Sequence, residues 1–121
     1  MNKYKQLIYV PKTMNDMFQD YYGNDNINSF NWYLSENEFN NLIKYGVLDY
    51  FNKMYYEKKL CFNFLGLEEY EDDYICYQYL FFFKDELYDK LSSFQCKTEI
   101  EKLKYMINMA IECKTILGFY L

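Results

Sequence analysis

The sequence predicts an α+β domain, a small antiparallel sheet with about four helices packed against it. Three observations lead there. Apolar residues from Phe39 to Met54 recur at spacings of three and four, the period of an amphipathic helix. Residues 5–10 (KQLIYV) and the aromatic run Tyr74 to Phe83 are poor in helix formers and rich in side chains that suit a pleated surface. Between such segments stand Ser/Thr-x-x-Glu/Asp patterns that cap helix starts. A mostly helical fold is the alternative. With 121 residues, 51% of them hydrophobic, the chain can bury one core, so residues 1–121 are expected to form a single compact domain.

In chain order, residues 5–10 form a first strand that Pro11 ends. Thr13 with Asp16 opens a short helix placing Met14, Met17, Phe18 and Tyr21 on one face. Gly23 and the polar run Asn24 to Ser29 make a turn or loop. That run lacks the glycine at position six and the glutamate at position twelve (here Ser35) that a calcium loop needs. Phe30 to Leu34 is a candidate second strand. Ser35 to Glu38 is a capping box for the clearest helix, with Phe39, Leu42, Ile43, Gly46, Val47, Tyr50, Phe51 and Met54 along its stripe. Gly46 inside that helix costs about 1 kcal/mol relative to alanine and marks a close contact with a neighbouring element.

Leu60 to Phe64 alternates weakly, and with Tyr74 to Phe83 it reads as a β-hairpin with a long acidic tip. A helix from residue 69 onward is the rival reading, because Leu80, Phe83, Leu87 and Leu91 share a helical face. Asp85 to Phe94 is helical either way. Thr98 to Glu101 is a further capping box. It starts a last helix with Ile100, Leu103, Ile107, Ala110 and Leu117 inward and Gly118 as its stop.

Composition narrows the chemistry. There is no histidine, and all 13 basic residues are lysine. Histidine bases, histidine-held zinc and bidentate arginine clamps are therefore excluded. No phosphate-cradling glycine motif occurs; Gly23, Gly46, Gly66 and Gly118 stand singly. Carboxylate pairs could still move protons, but so short a chain leaves little room for a deep cleft. No enzyme, metal or cofactor is expected. Cys61, Cys76, Cys96 and Cys113 form no CxxC pair. With no secretory h-region in MNKYKQLIYVPK, they read as reduced thiols of a cytoplasmic protein. The longest apolar run, Tyr79 to Phe83, is far short of the roughly 20 residues of a membrane span. The 16 Tyr and 11 Phe could stack on bases, yet a net charge of −5 repels a phosphate backbone, so no direct nucleic-acid contact is expected. Phe, Tyr, Asn, Lys and Ile share A/T-rich codons, so a low-GC bacterial or phage gene accounts for most of the aromatic excess.

One constellation rises above this background. Residues 68–74 (EEYEDDY) hold Glu68, Glu69, Glu71, Asp72 and Asp73 around Tyr70 and Tyr74. As a solvated tip such a run does nothing. As a binding edge its carboxylates attract a basic surface and its tyrosines stack on arginine. Asp20, Tyr22 and Asp25 form a second, weaker set. The expected partner is a basic protein, a nuclease or another nucleic-acid-binding protein, because such proteins must carry a basic face. The expectation is a small acidic inhibitor that occludes that face, in the manner of an immunity protein against a nuclease-type toxin or a phage anti-defence, anti-CRISPR-like inhibitor. The alternative is a non-enzymatic structural or assembly subunit whose aromatic surface, including Gly118 to Leu121, drives oligomerisation.

Overall fold

A computed structural model describes residues 6–21, 27–57 and 73–121. The fold is α+β. Four strands and six helices occur among the described residues: β1 (Leu7–Pro11), α1 (Met14–Tyr21), β2 (Ser29–Tyr33), α2 (Glu36–Lys44), α3 (Val47–Glu57), β3 (Asp73–Cys76), α4 (Tyr77–Phe82), α5 (Lys84–Ser92), α6 (Lys97–Cys113) and β4 (Ile116–Tyr120). The strands form one antiparallel sheet in the order β2-β1-β4-β3. The C-terminal strand is thus inserted at the centre. Its start is tied to the first strand by the Thr115 hydroxyl, which donates to the Pro11 carbonyl at 2.7 Å.

Strand alternation sends Ile8, Val10, Trp32, Ile75, Leu117 and Phe119 to one face. There they meet Leu42 of α2, Val47 and Phe51 of α3, Leu80 of α4, Leu87 and Leu91 of α5, and Ile100, Leu103, Ile107 and Ala110 of α6. On the opposite face a smaller cluster joins Met17 of α1 to Tyr74, Cys76 and Ile116. The Ser35 capping box forms in full: Glu38 N–H donates to the Ser35 hydroxyl at 3.1 Å, and Ser35 N–H donates to the Glu38 carboxylate at 2.9 Å. At α1, Asp16 N–H donates to the Thr13 hydroxyl, which in turn donates to the Asp16 carboxylate.

Several local expectations are corrected. The long helix of residues 39–54 is two helices, because Gly46 has φ +84° and ends α2 before α3 begins. A Cβ there would meet only Phe94 Cε1 at 3.9 Å, so backbone conformation rather than space calls for glycine. Ile43, placed on the apolar stripe, is 52% exposed.

Residues 74–83 are neither all strand nor all helix. β3 pairs with β4 until Tyr77 N–H donates to the Thr115 carbonyl, and beyond that rung the partner strand has ended, so helical bonding takes over in α4. The hairpin partner expected at residues 60–64 lies outside the described residues. The last helix stops at Cys113, where Lys114 takes the left-handed conformation at φ 55°. Leu117 and Gly118 therefore lie in β4, consistent with the β-branched and aromatic character of TILGFY. The Thr98 cap is not used; α6 begins at Lys97 after Cys96, which makes no side-chain cap.

Candidate functional site

The expected site residues divide into three groups. Glu68, Glu69, Tyr70, Glu71, Asp72, Tyr22 and Asp25 lie outside the described residues. Asp73 opens β3, an edge strand of the described sheet. Tyr74, grouped with the acidic run as a binding residue, is a core residue. It is 1% exposed, because the pleat turns it inward against Met17 under α1. Asp20, on the last turn of α1, accepts a hydrogen bond from the Tyr9 hydroxyl at 2.9 Å.

Cross-strand register brings Tyr74 and Asp20 to the same sheet face. One row reads Asn31, Tyr9, Gly118, Tyr74 across the four strands. Gly118 has no side chain because Tyr9 lies over it; a Cβ at 118 would fall 2.5 Å from Tyr9 Cε1. The ring fills the place of the missing side chain, and its hydroxyl reaches α1. The adjacent row reads Tyr33, Leu7, Tyr120. Tyr33 and Tyr120 are 57% and 46% exposed. Leu7, Tyr9, Asn31, Tyr33 and Tyr120 of these rows, with Asp20, Ile27 and Ser29, line a groove of about 480 Å³.

The sequence reading missed Tyr9 and Tyr33 as groove residues. The alternation in LIYVP and SFNWY carries that signal, but only once the covered face of each strand is known. Of the C-terminal segment expected to be exposed, Gly118 and Phe119 are buried, and only Tyr120 and Leu121 reach the surface.

A second groove, of about 640 Å³, lies beyond β2 on the helical side, between Trp32 and Tyr33 and the α6 residues Glu101, Lys102, Tyr105 and Met106. Its upper wall is held by Glu38. That carboxylate accepts from Lys102 Nζ at 2.6 Å and from Trp32 Nε1 at 3.3 Å, while the Lys102 ammonium lies 5.4 Å from the Trp32 ring centroid. Burial pushes the Glu38 carboxyl up. The bonds from Lys102 and Ser35 and the Lys102 charge outweigh it, so the group sits below its ordinary value.

The described thiols offer little nucleophilic chemistry. Cys96 and Cys113 are free. Burial pushes the Cys96 and Cys113 thiols up, helped by Glu99 and Glu112 respectively, which disfavours the reactive thiolate. Among the described residues, no group of three or more His, Cys, Asp or Glu is placed to hold a metal ion, and no helix is long and apolar enough to cross a membrane.

Comparison with protein-family models, curated proteins and solved structures found no match to this chain.

Proposed function

We propose that this chain is a non-enzymatic acidic inhibitor that binds the basic face of a nucleic-acid-handling protein and occludes it. One observation carries the reading. The five-carboxylate run 68–73 ends in sequence on Asp73, the first residue of β3, and the helix leaving β3 exposes Phe81 and Phe82 at 68% and 79%. Carboxylates steer a basic partner into place, and exposed rings supply the apolar contact that slows its departure. A net charge of −5 extends that attraction beyond contact range. Cytoplasmic location and a role in toxin immunity or phage anti-defence belong to the same proposal; a toxin gene immediately upstream would select the first role.

The test is capture from the source cell with the unaltered chain and with a variant carrying Glu68→Gln, Glu69→Gln, Glu71→Gln, Asp72→Asn and Asp73→Asn. A basic nucleic-acid-binding protein should be retained by the first. Its association with the second should be about tenfold or more slower at low salt, with a flatter salt dependence. An unchanged rate and salt slope reduces the run to a solvated turn. A large homo-oligomer that captures nothing favours the assembly-subunit reading instead.

A further inference from the structure

We infer that the outer edge of β2 is the seam of a two-fold homodimer, in which the β2 strands of two copies pair antiparallel about Asn31. The inference stands apart from the inhibitory role proposed above.

Its first support is the hydrogen-bond phase of the edge. Leu34 N–H donates to the Gln6 carbonyl at 2.9 Å, and Lys12 N–H donates to the Asn28 carbonyl at 3.0 Å. In an antiparallel ladder such bonded pairs alternate, so Phe30 and Trp32 also turn their backbone groups toward β1. Ser29 and Asn31 turn theirs the other way. Among the described residues β2 pairs with β1 alone, at the end of the sheet.

The second support is the chemistry of that edge. Natural edges are guarded by charge, proline or a bulge. β3, at the other end of the described sheet, starts on Asp73 at the end of the acidic run. The segment SFNWY carries no charge, no proline and no glycine.

The third support is complementarity under two-fold symmetry. With Asn31 opposite its own copy, Ser29 faces Tyr33 and Phe30 faces Trp32, and no like charges meet. The ends of β2 differ on the helical face. At one end Lys12 lies 5.0 Å from the Phe30 ring centroid; at the other, Trp32 borders the groove of Glu101, Tyr105 and Met106. Antiparallel pairing exchanges these ends. Phe30 and Lys12 of each copy therefore approach the groove of the other, where Glu101 presents a carboxylate and the Lys102 ammonium is already paired with Glu38, an isologous contact made twice. It would cover Tyr105, which is 51% exposed.

Light scattering on the eluting protein and amide exchange followed by NMR test this together. As concentration rises, the mass should climb from 15.0 kDa toward twice that value. Exchange at Ser29 and Asn31 should slow, while Phe30 and Trp32, already bonded to β1, stay unchanged. Asn31→Lys and Asn31→Asp place like charges face to face, so each alone should dimerise about tenfold or more weakly, and an equimolar mixture should recover the dimer. Circular dichroism checks that both variants fold; if either does not, exchange in the unaltered chain decides. A mass of 15.0 kDa at every concentration overturns the inference. So does unchanged dimerisation of both single variants, concentration-independent exchange at Ser29 and Asn31, or protection of those amides only when a different protein is bound.

Discussion

On one face of the sheet, Ile8, Val10, Trp32, Ile75, Leu117 and Phe119 are buried against five helices. On the other, α1 covers Tyr74, Cys76 and Ile116, while Leu7, Tyr9, Asn31, Tyr33 and Tyr120 line an open groove. The first face is stabilised by apolar volume that many side chains share. Among the described residues the second shows contacts of defined geometry: a ring over a glycine, and a phenol on a carboxylate. Stability should therefore be lost in different ways on the two sides.

The largest loss is expected on the helix-covered face. Leu103 is 0% exposed at the centre of α6, and Leu103→Ala should lower unfolding free energy by about 2–5 kcal/mol through lost burial and the cavity left behind. Urea denaturation should show this as a lower midpoint with an unchanged slope.

On the groove face, Gly118→Ala should cost about 1–3 kcal/mol, because the Tyr9 ring must move off the position the new methyl takes. The same change in a Tyr9→Ala background should cost much less. That non-additivity in a double-mutant cycle is the signature of a single contact, and simple additivity would show that the two residues do not act together.

A smaller effect tests the polar seam at the margin of the helix-covered face. Glu38→Gln should cost about 0.5–2 kcal/mol at neutral pH, since it weakens the ties to Lys102 and the Ser35 cap. The folded-state pKa of Glu38 lies below its ordinary value. Its contribution is thus complete above the ordinary carboxylate range and is lost as pH falls through the lowered folded value. The gap in melting temperature between the two proteins should accordingly be flat near neutrality and close in acid.

Much of the fold was legible because local rules were obeyed. The Ser35 to Glu38 pattern made the cap it promised, KQLIYV held the first strand but for its last residue, Pro11, and the inward residues Ile100, Leu103, Ile107 and Ala110 of α6 are all buried. The failures in strand assignment have one origin. β4 was read as helix end because Leu117 continues a helical spacing, and TILGFY becomes a strand only when β1 and β3 are there to flank it. The same absent partner hid the switch at Cys76, where β3 yields to α4 as its neighbour runs out.

The candidate site follows the same division. Composition by itself established the acidity, the absence of histidine and arginine, and the clustering of carboxylates at 68–73, since charge and chemistry travel with each residue wherever it folds. Tertiary structure alone decided that Tyr74 is core, that Tyr9 lies over Gly118 and reaches Asp20, and that β2 stands at the end of the described sheet with the backbone groups of Ser29 and Asn31 turned away from β1. These are matters of which strand lies beside which. Such pairings join residues as far apart as Pro11 and Thr115, and long-range partners leave no local period in the sequence.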